Sequence, residues 1–455
     1  MYKHVLPFPL ALVLAASALA ADTVPQIRPL PPLRQQAQEQ QAWLEKRLTQ
    51  VLPALMREQG VDLWILSMRE YAEDPVFFSM VSPTTFAARR RSIYVFHDQG
   101  PEKGVARYAL GGGDQGGLFK IYRDPNPQVQ GAELVGDTQW QLLRKLVEQA
   151  APKAIALNID PVHAFSDGLH AGEREALEAA LGAELLKRVV RRPELALRYI
   201  ETRIPEMLPR YREIQETVHA LIGAAFSGEL IRPGVTTTED VEWWLRQKVQ
   251  DLGMTVWFQP NVERAAPAEG WGAGVIDKGH ALWVDFGVIA MGLHTDTQHL
   301  GYVLKDGESQ PPAGLRACLK ASNRLQEILM AEMRPGRTGN EALHAARKAM
   351  AEAGINGTIY SHPVGDHGHG AGPLIGLWDR QEGVPVRGDL AIRPNTWFSV
   401  ELQASSPIPE WNNLLLPCRQ EEDIYLDEKG KRQWVFRRQE DFHTVGNAAR
   451  PSSSP

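Results

Sequence analysis

Cysteine is nearly missing from this chain: Cys318 and Cys418 are the only two in 455 residues. That excludes a disulfide-dense scaffold and argues against a zinc–thiolate site, since neither has a second cysteine nearby. In an oxidising compartment the two can pair, but only their distance in the fold decides it. An excess of positive charge is also missing. Lys and Arg number 49 against 55 Asp and Glu, a net charge of −6, so no nucleic-acid partner is expected. Long apolar runs are lacking too. The one early run, Val5 to Ala16, is shorter than the roughly 20 residues a membrane helix needs. The glycine-rich stretch 111–117 has no following Lys-Ser/Thr, which leaves a loop rather than a phosphate cradle.

What is present is ordinary globular composition, with 43% hydrophobic and 23% charged residues and length for two or three domains. A short basic start, the apolar run and Ala18-Leu19-Ala20 read as a secretory signal, cleaved after Ala20. The expectation is a secreted or periplasmic protein with no membrane association once the signal is removed. A Pro-rich tether follows over 21–34. Helix-forming sequence runs from Arg34 to about Met56. Strand-like runs at Val61–Leu66, Ser92–Phe96 and Ala154–Ile159 alternate with helical stretches such as Trp140–Gln149. This alternation predicts an α/β domain over 35–203. Arg89-Arg90-Arg91 reads as a solvated charge run. The last residues, 448–455, read as a disordered tail.

The second half repeats itself. Pro233-Gly234-Val235-Thr236 opens a helix that stops at Gly253, and Pro335-Gly336-Arg337-Thr338 opens one that stops at Gly354. Each is preceded by a long helical stretch, Met207–Leu230 and Gly314–Met333, and followed by strand-like sequence. The pattern predicts an α+β domain over 204–447 with an internal pseudo-twofold repeat. Each half also ends an apolar run in an acid, at Asp285 and at Glu401. A carboxylate there is costly to bury unless it is paired or holds a metal.

Eleven positions after Asp285 comes Asp296, with Gly292 between them as a hairpin position. Downstream lie Ser361-His362-Pro363-Val364-Gly365 and Arg419-Gln420-Glu421-Glu422-Asp423-Ile424. Four carboxylates and one histidine make an oxygen-rich set suited to Mn, Co, Fe or Zn. About two divalent cations are needed to offset four close carboxylates, and two ions can share and activate one hydroxide.

On these motifs the chain resembles the pita-bread metallopeptidases, the group of aminopeptidase P, prolidase, methionine aminopeptidase and the non-metal relative creatinase. The matching features are Asp285-Phe286-Gly287 with Asp296, His362 with Gly365 and His369, Val400-Glu401, and Arg419-x-Glu421. The resemblance implies a creatinase-like N-terminal domain before a pita-bread catalytic domain. It implies an Xaa-Pro aminopeptidase or dipeptidase that acts on peptides through a hydroxide shared by two metals, manganese first among them. A homodimer or higher homo-oligomer goes with it. Asp285 would chelate one metal, His362 and Glu401 the other, and Asp296 and Glu421 would bridge. Glu401 would also serve as general base, and His369 would orient the substrate carbonyl or stabilise the oxyanion.

Two departures stand out. The family's Asp-x-Thr-Arg-Thr reads Asp296-Thr297-Gln298-His299 here, and its upstream substrate histidine has no counterpart, the only His between Trp257 and Asp285 being His280. A second register, with His369 as the metal ligand, also fits Gly368-His369-Gly370-Ala371-Gly372. His367, His299 and Trp378 are taken as substrate contacts, with Trp411 a further wall of the pocket. The bland alternatives are an exposed loop or strand position for the histidines and core packing for the tryptophans. Beside the peptidase stand two other readings, a two-metal hydrolase of another amide or ester and a non-catalytic binding protein of the same fold.

Overall fold

The computed structural model describes residues 24–124 and 136–446; the signal expected at 1–20 and the tail expected at 448–455 lie outside these. In the N-terminal part, six strands form one mixed sheet: β1 (Leu63–Arg69), β2 (Arg91–Asp98), β3 (Val105–Leu110), β4 (Lys120–Ile121), β5 (Ile155–Leu157) and β6 (Val189–Val190). Their order is β4-β3-β2-β1-β5-β6. Side chains alternate across β1. Leu63 and Ile65 pack with Trp140 and Leu177, on helices α3 (Thr138–Ala150) and α4 (Ala171–Leu186). Trp64 and Leu66 pack the other way, with Leu52 and Leu195 of α2 (Leu52–Glu58) and α5 (Pro193–Glu201). Helix α1 (Leu33–Lys46) runs into α2 through a π turn at Arg47–Val51. This is the α/β domain the strand–helix alternation predicts.

The charge run departs from expectation. Arg91 is buried and pairs with Glu173 of α4 at 2.8 Å, because its place on β2 turns it under the sheet.

In the second half, α6 (Leu208–Ala225) and α7 (Thr238–Asp251) precede one group of strands, and α8 (Ala313–Glu332) and α9 (Gly339–Glu352) precede another. Both α7 and α9 start with a capping box, Thr237 with Asp240 and Thr338 with Glu341. Both end at a glycine in the left-handed region, Gly253 and Gly354. The strands are β7 (Thr255–Val256), β8 (Asn261–Ala266), β9 (Glu269–Gly272), β10 (Ala281–Asp285), β11 (Val288–Ala290), β12 (Leu293–His294) and β13 (Gln298–Val303). After α9 come β14 (Gly357–Ile359), β15 (His362–Pro363), β16 (Thr396–Ser399), β17 (Leu402–Ile408), β18 (Leu414–Gln420), β19 (Asp423–Leu426), β20 (Arg432–Trp434) and β21 (His443–Val445). They form sheets β21-β13-β10-β8-β9, β12-β11-β7, β14-β17-β18 and β15-β16-β19-β20. The two groups meet where Gln298 and Glu421 bridge as antiparallel neighbours.

Cys318 of α8 and Cys418 of β18 form a disulfide, both buried in the core. Trp411, expected at the pocket, is also core, 1% exposed among Ile408 and Leu416. The two domains are clasped by Asp366, which receives Arg47 at 2.9 Å and also pairs with Arg203. No helix among the described residues is long and apolar enough to cross a membrane.

Candidate metal centre

Asp285 closes β10, and the chain turns at Phe286-Gly287 before returning through β11 and β12 to Asp296. Gly287 is required there, since a Cβ would lie 2.5 Å from the Thr295 carbonyl oxygen and against the Trp257 indole. Trp257 is itself fixed by donating Nε1–H to that same carbonyl at 2.9 Å. Asp296 is held through its backbone. Its N–H donates to Asp423 Oδ2 at 3.2 Å, and Asp423 also accepts from Tyr211 at 2.7 Å and Gln215 at 2.6 Å. Glu401 occupies the short break between β16 and β17, and Glu421 the break between β18 and β19.

These turns bring the five predicted residues together. His362 Nε2 lies 3.6 Å from Asp296 Oδ2, 3.8 Å from Glu401 Oε2 and 3.5 Å from Glu421 Oε1. Its Nδ1–H is directed to the Pro363 carbonyl at 3.0 Å, which leaves the Nε2 lone pair for the centre. Asp285 Oδ1, Asp296 Oδ1 and His362 Nε2 are all buried without a hydrogen-bond partner. Orphaned polar atoms of this kind are costly, and three within one cluster of carboxylates fit a cation ligand set. Burial first, then the negative charge of Glu421, pushes Asp285, Asp296 and Glu401 well above the ordinary carboxylate range.

Between the two possible histidines, the structure places His362 among the carboxylates and His369 on the wall. The His369 ring stands edge-on to His362, centroids 4.9 Å apart, and edge-on to Trp257 at 5.1 Å. Burial, then His362, lowers the His369 pKa to about 4, so it is neutral at pH 7. The cavity in front of the centre has a volume of ≈ 720 Å³ and is lined by Asp285, Gln298, His362, His369, Trp378, Arg387, Glu401 and Arg419, among others. Trp378 stands at this cavity, 77% exposed.

Two of the expected substrate contacts lie elsewhere. His299 turns away from the cavity and bonds to Glu422 at 2.9 Å and His443 at 3.0 Å. The reason is strand alternation: on β13, Gln298 faces the centre and His299 the reverse side. His367 packs against Phe165 with centroids 4.8 Å apart and lines a separate cleft between the domains with His294.

Sequence reasoning missed two residues. The Gln298 amide nitrogen donates to Glu401 Oε1 at 2.6 Å and Glu421 Oε2 at 2.8 Å, tying two of the acids together. Period-two alternation after Asp296 was the signal that could have found it. Arg387 lines the cavity, its pKa lowered by burial, and among the described residues its guanidinium has no acidic partner. No local pattern marks it.

Residues 209–428 match Metallopeptidase family M24. No curated protein matches the chain. Among solved structures, the X-Pro aminopeptidase from Thermotoga maritima MSB8 is similar at 17% identity and TM-score 0.60, covering 86% of this chain and 100% of that one. The Xaa-Pro dipeptidase from Bacillus anthracis is similar at 16% identity and TM-score 0.56, over 90% and 99%. The N-terminal domain of FACT complex subunit SPT16 from Cicer arietinum (chickpea) shares the fold at 10% identity and TM-score 0.52, over 87% and 96%.

Proposed function

Because residues 209–428 match Metallopeptidase family M24, we propose that this chain is a metallopeptidase that hydrolyses the bond between an N-terminal residue and a following proline in short peptides. Three buried, orphaned atoms, Asp285 Oδ1, Asp296 Oδ1 and His362 Nε2, on side chains gathered beside a cavity of ≈ 720 Å³, carry the reading. Asp285, Asp296, His362, Glu401 and Glu421 would hold two divalent ions, manganese first by ligand type. The ions would supply Lewis acidity to the scissile carbonyl and activate water at neutral pH.

The chain's own residues do the rest. Glu401, at the cavity edge, accepts a proton from the attacking water and passes it to the leaving nitrogen. His369, neutral, donates an N–H toward the carbonyl oxygen and steadies the charge that develops there. Trp378, at the cavity, flanks the bound residue. Arg387, a cation facing the cavity without a partner, pairs with a substrate carboxylate. In a dipeptide that carboxylate sits one residue past the scissile bond, so Arg387 favours dipeptides over longer peptides.

The signal-like start and the Cys318–Cys418 disulfide support an exported protein acting in an oxidising compartment. A second reading, hydrolysis of another amide or ester, draws on His280, which bonds to the Asp277 N–H outside the cavity and supplies no upstream substrate histidine. The SPT16 likeness shows the fold without bearing on chemistry, and the five groups converging here argue against a purely binding role.

The test is a mass-spectrometric product assay of manganese-loaded protein on Xaa-Pro dipeptides, longer Xaa-Pro peptides and non-proline amide and ester substrates. Preferential cleavage of the dipeptides is expected. Cleavage of amides or esters with no Xaa-Pro turnover would transfer the site to the second reading.

A further inference from the structure

The reverse face of the same strands carries a second cluster that the hydrolytic centre does not use. Where Gln298 and Glu421 face the hydrolytic centre, their neighbours His299 and Glu422 face backward, and α6 brings His219 to meet them. His219 Nε2 lies 3.0 Å from Glu422 Oε2, and His299 Nε2 lies 2.9 Å from Glu422 Oε1. The three residues are 3%, 2% and 1% exposed, and their ligand atoms all lie within 4.8 Å of one another.

We propose that His219, His299 and Glu422 form a separate divalent transition-metal site, zinc by ligand preference. Two imidazoles and one carboxylate are a known zinc ligand set. With metal–ligand bonds of about 2.0 Å, neighbouring donors in a tetrahedral site stand about 3.3 Å apart. The two imidazole–carboxylate separations are already close to that, so a small outward relaxation admits an ion. The outer contacts a metal site needs are in place. His299 Nδ1 is 3.0 Å from His443 Nε2, which fixes the ring and leaves Nε2 for the ion. The Gln439 N–H donates to Glu422 Oε1 at 2.8 Å and orients the carboxylate.

The three ligands come from α6, β13 and the β18–β19 junction, parts of the chain far apart in sequence. An ion here would pin α6 to the strands that flank Asp296 and Glu421. None of its ligands is shared with the hydrolytic centre, so the site's role is to brace that centre from behind. The inference therefore stands apart from the proposed peptidase activity.

Zinc stoichiometry of the full chain, measured by plasma mass spectrometry after dialysis, tests it. The variant Asp285→Asn/Asp296→Asn/His362→Gln dismantles the hydrolytic centre and leaves the second cluster intact. It is expected to retain one zinc per chain, and to lose it on addition of His219→Gln. His299→Gln is made in parallel, with circular dichroism identifying any variant that fails to fold. Cobalt in the dismantled variant is expected to give the intense visible absorption of a tetrahedral ion, absent after His219→Gln. Should neither added variant fold, this spectrum decides alone. No zinc in the dismantled variant, zinc unchanged by both added substitutions, or a weak octahedral cobalt spectrum would overturn the proposal and leave Glu422 a hydrogen-bond acceptor only. Failure of the wild-type protein to cleave any peptide would count against the hydrolytic reading and leave this result untouched.

Discussion

Gln298 and Glu421 are joined twice: their backbones exchange hydrogen bonds at 3.1 and 3.3 Å, and the Gln298 amide nitrogen donates to Glu421 Oε2 at 2.8 Å. The backbone pair ties together the two strand groups of the catalytic half. The side-chain bond, with its twin to Glu401, fixes two acids that would otherwise repel. Gln298→Ala is expected to weaken metal affinity 10- to 100-fold, the usual cost of losing an outer-shell partner, while thermal stability changes little. Titration calorimetry with manganese checks this; unchanged affinity would show that the amide does not set the ligand geometry.

That relationship also shows what was legible in the sequence. Asp285 and Glu401 end apolar runs, Asp296 declares itself by its spacing from Asp285, and the capping boxes at Thr237 and Thr338 declare the helix starts. The orientation of residues beside a ligand is harder to read. His299, three positions after Asp296, attracts attention as a titratable group, yet strand alternation gives the cavity to Gln298. The same alternation separates Glu421 from Glu422. Trp411 and Arg91 are buried against expectation because burial depends on which sheet face meets a helix, and that is settled by packing. Arg387 emerges only when a loop after β15 folds back over the cavity.

Arg387→Ala is expected to raise KM for an Xaa-Pro dipeptide by at least tenfold, with a smaller change for a dipeptide amide that lacks the carboxylate. The estimate follows from a charge-assisted hydrogen bond worth about 1.5–3 kcal/mol. Equal losses on both substrates in steady-state kinetics would remove the carboxylate-binding role.

The disulfide closes a loop with a sequence separation of 100. Replacing Cys318 and Cys418 by alanine is expected to cost about 2–5 kcal/mol, measured by urea denaturation. The wild-type protein under reducing conditions should show a comparable loss. Equal stability with and without the bond would contradict this.

Asp366, between Arg47 and Arg203, is held below the ordinary carboxylate range: burial alone would raise it, but the two guanidiniums outweigh that. Its stabilisation is present above the unfolded-state pKa of about 4 and fades as pH falls below it. Asp366→Asn breaks a buried ion pair on one side and is expected to cost about 3–5 kcal/mol at neutral pH, less in acid. Chemical denaturation at pH 7 and pH 3 measures both.

The carboxylates of the candidate metal centre have the opposite sign. Asp285, Asp296 and Glu401 have raised pKa values in the metal-free fold, burial being the main cause. The metal-free fold therefore holds protons that the unfolded chain releases. This contribution favours folding below about pH 4 and is lost as pH rises through the folded-state values. Bound cations reverse it by replacing those protons. The rise in Tm on adding manganese is expected to grow from pH 5 to pH 8; a constant or shrinking rise in calorimetry would contradict the coupling.

Asp296 faces His362 and lies between the two halves. The most direct measurement follows hydrolysis of an Xaa-Pro dipeptide by manganese-loaded wild-type protein and by Asp296→Ala, with bound metal counted in both. Hydrolysis by the wild type, and its loss together with metal in the variant, is the predicted result. Normal turnover by Asp296→Ala would contradict it.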